Sequence, residues 1–180
     1  KRWMYEESFK MPFLIKNPKI IEAGTISDAM IMNVDFAPTL LDMVGLEIPS
    51  EMQGKSFKGT FEGEEKSRKS VYYHYYEYPI WHKVQPHYGI KTDRYKLMHF
   101  YYSMDEWELY DLKTDPNEMN NIYSDAPKEL IEKLKRELQE LRTEYKDDGS
   151  IEQMKTMTDV VIRRVYNEPK IYKENNKIKK

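Results

Sequence analysis

Hydrophobic positions recur with two different periods along this chain, and the change of period divides it. From Pro127 to Lys146, Leu130, Leu134, Leu138, Leu141 and Tyr145 return at three- and four-residue intervals with Glu and Lys between them. That spacing lays a single apolar stripe along one side of a helix. Asp125 is the expected cap, and Pro127 suits the first turn, where its missing N–H leaves no bond unmade. Upstream lie "SVYYHYYEYP", "HYGIKTDRYKLMHFYY" and "EWELYDLKTDPNE", aromatic and β-branched runs broken by Gly- and Asp-containing turns. They predict antiparallel strands, with "KTDR" as a hairpin turn and Trp107, Leu109 and Asp111 on one face of the last strand. "TDPNE" closes that strand as a turn.

The first third reads differently. "PFLIKNP" (Pro12 to Pro18) predicts a short buried strand ended by a proline turn. Phe36, Leu40 and Val44, with Leu41 beside them, predict a helix from Phe36 to Val44. Asp35 is its expected N-cap, Pro38 fits its first turn, and Gly45 is the natural stop. Residues 52–70 hold three glycines and mixed charge, the composition of a surface linker. The last eleven residues carry five lysines against one glutamate, a solvated tail rather than an anion-binding arm.

Composition narrows the function classes. With 29 basic and 31 acidic residues the net charge is −2, which gives no electrostatic footprint for nucleic acid. No apolar run approaches the roughly 20 residues that span a bilayer. The 15 tyrosines offset a modest apolar content of 39%, since each can bury a ring and keep its hydroxyl bonded. Cysteine is absent, which excludes disulfides, thiolate metal sites and a cysteine nucleophile within these 180 residues.

Scans for catalytic spacings find no His-Glu-x-x-His, no Gly-x-Ser-x-Gly and no phosphate loop. His74 and His99 fall within tyrosine-rich strands and read as structural. His82 and His87 are separated by Pro86 at a spacing that suits no zinc site. The segment "EYPIWHKVQPHYG" is irregular and bounded by prolines, and binding residues concentrate on such loops. Trp81, His82 and His87 are therefore the candidate contacts to a sugar: an aromatic face and two imidazoles. The alternative, that Trp81 packs down onto the sheet, stays open.

The opening stretch "KRWMYEESFKMP" resembles the segment of type I sulfatases that follows their metal-binding Asp-Asn or Asp-His pair. "NVDFAPTLLDMVGLEIPSEMQGKSF" resembles the same family's helix and linker, and "GIKTDRYKLMHFYY" with "WELYDLKTDPNEMNNIY" resembles its C-terminal subdomain. The resemblance runs in the family's own order over residues 1 to about 140. It implies an α+β chain: the end of an alkaline-phosphatase-like α/β domain (residues 1–60), then a small antiparallel sheet with a packed helix (61–150), then a tail (151–180). It also implies sulfate ester hydrolysis by a hydrated formylglycine made from Cys or Ser in Cys/Ser-x-Pro-x-Arg, with a calcium ion. Neither the motif nor the calcium-binding aspartates occur in this chain, which reads as the C-terminal portion of a sulfatase and by itself inactive. Lys1 matches the family's sulfate-contacting lysine, and an ammonium aimed at a sulfuryl oxygen stabilises developing charge. Glu6, Glu7 and Ser8 match the family as scaffold. The tyrosine-rich strands are most similar to those of carbohydrate sulfatases, especially those acting on 6-sulfated N-acetylglucosamine. Expected partners are a sulfated sugar and the N-terminal catalytic portion of the same protein, with no nucleic acid and no membrane; the expected location is periplasmic or secreted. A phosphatase or phosphonate hydrolase of the same superfamily and a non-catalytic carbohydrate-binding module remain alternatives.

Overall fold

The computed structural model describes residues 2–61, 63, 68–78 and 82–167. The chain forms two compact units: the described residues of Lys1–Lys10 with those of Tyr72–Lys180, and those of Met11–Val71.

The first unit is built on a four-stranded sheet in the order β1-β2-β3-β4, from β1 (Ser70–Tyr75), β2 (His87–Thr92), β3 (Tyr95–Phe100) and β4 (Glu106–Asp111). β2, β3 and β4 are antiparallel, with Ile90 opposite Leu97 and Leu97 opposite Leu109. The "KTDR" hairpin forms as expected. Its Thr92 hydroxyl accepts from the Tyr95 N–H at 2.8 Å, and Arg94 grips Asp111 through Nη2 at 2.7 Å.

Side chains alternate between the two faces, as pleating requires. One face carries Tyr72, Tyr88, Ile90, Leu97 and Leu109, packed with Leu134 and Leu138 of the long helix α3 (Lys128–Glu144). Leu130, Leu141 and Tyr145 flank that core, so the predicted stripe is the buried one. Asp125 does not cap α3; Pro127 holds the N-cap position, with no side-chain cap.

The expected tail from 151 is corrected at its start. Helix α4 (Ile151–Ile162) begins there, capped reciprocally by Ser150 and Gln153, and its Met154 joins the core. Arg142 fastens the turn between the helices by donating to Asp147 O at 2.9 Å and Gly149 O at 2.7 Å.

The other face is covered by the chain's own beginning. Met4, fully buried, packs with Met98, Phe100 and Tyr110, while Tyr5 and Phe9 lie beside them. A short helix, α1 (Glu6–Phe9), ends this strap. Residues 2–10 therefore belong with the sheet, not with the residues up to 60, because they fill the face that α3 and α4 leave open. Gly89 makes the approach possible: a Cβ there would meet the backbone of β3 and stand 2.8 Å from the Met4 sulfur.

In the Met11–Val71 unit, helix α2 (Phe36–Met43) follows a 3₁₀ turn (Asn33–Asp35), and Gly45 leaves it at φ +73°. Asp35 occupies the N-cap position, but its carboxylate does not cap α2. It accepts from the N–H groups of Met32 (2.7 Å) and Lys55 (2.9 Å) and pairs with buried Arg68. Within the expected linker lie a 3₁₀ turn at Lys58–Phe61 and Phe57, buried against Phe13, Phe36 and Phe61. The strand expected at 12–18 does not form. Among the described residues no strand pairs with it, and Leu14 is 96% exposed.

Candidate functional site

The strap and the beginning of β2 place a group of aromatic rings around His87. Trp3, Tyr73, Tyr75 and Phe100 have ring centroids 5.7, 5.8, 5.7 and 4.9 Å from the imidazole. Trp3 remains 37% exposed, and its ring also stacks on Tyr5. Beside it, the Tyr73 hydroxyl donates to the Arg2 carbonyl at 2.8 Å, and the Arg2 guanidinium lies 3.8 Å from Glu77.

His87 overturns the expectation of an exposed loop donor. It belongs to β2 and is fully buried, because the alternation that faces Tyr88 and Ile90 toward α3 turns His87 under the strap. Its Nδ1 lies 2.8 Å from the Gln85 carbonyl, which can only accept, so Nδ1 carries the proton. Nε2 is then a lone pair, and no described side chain bonds it. Burial pushes the imidazole down to about 4, so it is neutral at pH 7. Such a group supports the Trp3 ring and, as the Nδ1–H tautomer, presents one buried acceptor.

His82 stays where the sequence puts it, half-buried on the irregular stretch before β2. Trp81 and Lys1 lie outside the described residues, as does the basic segment 170–180. His74 and His99 are structural, as expected. His74 bridges Asp147 at 2.6 Å and the Tyr101 hydroxyl at 2.9 Å. His99 lies between Tyr88 (3.0 Å) and Asp105 (2.7 Å) and stacks on Trp107 at 4.1 Å. Sequence reasoning missed Trp3 as the covering ring of His87. Its signal was position: Trp3 stands one residue before Met4, the side chain that Gly89 admits.

The arrangement offers charge and aromatic surface without a nucleophile. The chain has no cysteine and no Ser-x-Pro-x-Arg, so no residue here can become a formylglycine. Among the described residues no three acidic or histidine side chains gather as metal ligands. Neither a formylglycine precursor in the sequence nor a calcium ligand set among the described residues is therefore present.

The family model for N-sulphoglucosamine sulphohydrolase, C-terminal, matches residues 1–144. The chain belongs to this sulfatase family. It is 53% identical over 153 residues to an N-acetylglucosamine-6-O-sulfatase of Bacteroides thetaiotaomicron, covering 82% of this chain and 27% of that protein. It is 33% identical over 153 residues to a delta 4,5-hexuronate-2-O-sulfatase of the same organism, covering 80% of this chain and 31% of that protein. A solved structure in complex with its substrate D-glucosamine-2-N,6-O-disulfate superposes with a TM-score of 0.79 at 51% identity, over 84% of this chain and 32% of that one. The chain thus spans about a third or less of the length of these sulfatases. The small antiparallel sheet with its packed helix is the family's C-terminal architecture, as the sequence resemblance implied.

Proposed function

We propose that these residues serve a sulfatase that removes sulfate from an amino sugar, with the 6-O-sulfate of a glucosamine unit as the first candidate. The reading is carried by the 53% identity with an N-acetylglucosamine-6-O-sulfatase, which runs over 153 residues and not over one motif. Lys1 supplies a point charge to the sulfuryl oxygens, where such groups contribute several kcal/mol in the transition state. Trp81 and His82 orient the sugar, the first by its face and the second by hydrogen bonds. Nucleophile and calcium come from the N-terminal catalytic portion of the same protein, so this chain alone is inactive; the setting is periplasmic or secreted. Many apolar side chains of the Met11–Val71 unit face outward, as expected of the edge of a larger α/β domain.

The test is a pair of variants in the full-length enzyme, assayed on a sugar sulfate and on a small aryl sulfate. His82→Ala lowers kcat/KM for the sugar sulfate about tenfold, roughly 1.4 kcal/mol, and the aryl sulfate much less. Lys1→Ala harms both, because it acts on the group they share. Equal effects of His82→Ala on the two substrates would remove it from the sugar site.

A further inference from the structure

Three stretches that carry the family resemblance meet in one buried ion cluster. Glu6 comes from "YEES" in the strap, Lys96 from "DRYKLM" in β3, and Glu118 from "TDPNE" after β4. Lys96 is fully buried, and its ammonium lies 2.7 Å from Glu6 and 2.7 Å from Glu118, itself buried. The second Glu118 oxygen accepts the backbone N–H of Glu6 at 2.6 Å. Lys91 brings another cation 3.2 Å from Glu6, and the Phe9 ring lies 5.5 Å from the Lys96 ammonium. Two cations face two carboxylates.

Net stability is a poor reason for such a cluster. Taking ions out of water costs several kcal/mol each, and apolar side chains of the same volume often hold a fold as well or better. What apolar packing does not supply is register. The Glu6 carboxylate and N–H reach Lys96 and Glu118 together at a single setting of the strap along β3. Glu118 also holds φ +54°, which is costly for a residue with a Cβ. The turn after β4 is therefore bent in a way that brings this carboxylate to the strap.

Register matters because of what the strap carries. From Glu6 it runs back through Tyr5, whose hydroxyl donates to Glu108 at 2.8 Å, and through buried Met4 to Trp3 and Arg2. Lys1 is bonded to Arg2. A slip of one residue would turn Met4 out of the space over Gly89 and turn Trp3 off His87.

We infer that Lys96 and Glu118 are positioning residues, and that the ion cluster they form with Glu6 sets where the strap presents Lys1 and Trp3. The inference rests on the reading of Lys1 as the sulfate-contacting residue. Misplacing a catalytic group by about 1 Å can cost on the order of 100-fold in rate, so a register device has leverage out of proportion to its stability.

The experiment is a double-substitution cycle in the full-length enzyme. Glu118→Gln keeps the shape and an acceptor for the Glu6 N–H but removes one charge. It lowers kcat about tenfold on both the aryl sulfate and the sugar sulfate, with KM for the sugar changed less than about twofold. In a Lys1→Ala background the same substitution changes kcat less than about twofold, because there is no placed ammonium left to lose. Hydrogen exchange speeds up at residues 3–9 while 96–100 stay protected. If Glu118→Gln acts equally with and without Lys1, or leaves kcat unchanged, or loosens strap and sheet alike, the cluster only holds the fold and the inference is overturned. If Lys1→Ala leaves both esters unaffected, the reading of Lys1 fails and the inference with it. Should Glu118→Gln not fold, Lys91→Ala removes an outlying charge of the same cluster; coupling to Lys1 supports the inference and additivity overturns it.

Discussion

The two units of the chain bury their side chains by opposite means. In the sheet unit, apolar and aromatic side chains from four strands, two helices and the strap close over one another, and even an ammonium is fully enclosed. In the Met11–Val71 unit the buried residues include Asp35, Pro38, Thr39, Phe57, Arg68 and Val71, while Leu14, Ile26 and Val44 are 96%, 95% and 70% exposed. Its interior is a hub of polar bonds around one carboxylate with a phenylalanine patch beside it. Apolar side chains that a folded protein would enclose face outward there. The sheet unit encloses most of its strand and strap side chains; the other leaves much of its apolar surface exposed.

The largest effect that separates the two comes from the hub. Asp35→Ala leaves the buried Arg68 guanidinium without its carboxylate and the Met32 and Lys55 N–H groups without their acceptor. Stranding a buried charge costs about 3–5 kcal/mol. Hydrogen exchange on this chain is expected to lose protection across 36–43 and to keep it across 95–100 and 130–141. Equal losses in both places would mean that the units open as one, and the contrast drawn here would be broken.

An acid titration sharpens the comparison from the side of the sheet. Unfolded, the His87 imidazole takes its proton near 6.5, whereas in its aromatic enclosure it resists down to about 4. Between those values the unfolded chain binds more protons, so stability falls as pH falls from 6.5 toward 4, by on the order of 3 kcal/mol from this group. Burial lowers His74 and His99 as well, each against the pull of an aspartate, and they add in the same direction. Burial alone would raise Glu6, but Lys96 and Lys91 outweigh it and hold the carboxyl low, so its share is lost only below about 4.5. His87→Phe is expected to flatten part of the acid limb of sheet-unit unfolding between pH 6.5 and 4. A limb unchanged by the substitution would show that His87 opens to water before it titrates.

These contrasts track what the sequence made legible. The period-two strands, the "KTDR" hairpin and the leucine stripe of α3 could be read because their burial is decided by near neighbours in the chain. His87 could not, since its enclosure depends on Trp3, which lies 84 residues away in sequence and crosses the sheet only when Met4 seats over Gly89. The same holds for the ion cluster, whose members are 90 and 112 residues apart. Helix α4 is legible at its start, where Ser150 and Gln153 stand at capping-box spacing. The strand expected at 12–18 fails for a different reason. Its apolar run is real, but a strand needs a ladder partner, and none of the described residues supplies one.

The smallest expected effect concerns that same run. Leu14 is almost fully exposed, so replacing it by Asp removes little buried area in this chain and stays within about 0.5 kcal/mol of the parent stability. In the full-length protein proposed above, the same side chain is one that the catalytic portion would enclose, and an aspartate there would carry a buried, unpaired charge costing several kcal/mol. Thermal unfolding of the Leu14→Asp variant in both contexts measures the difference directly. A near-zero shift in the chain with a large one in the full-length protein is expected. Small shifts in both would mean that this surface faces water in the whole enzyme too, and the exposed side chains of the Met11–Val71 unit would then need another explanation.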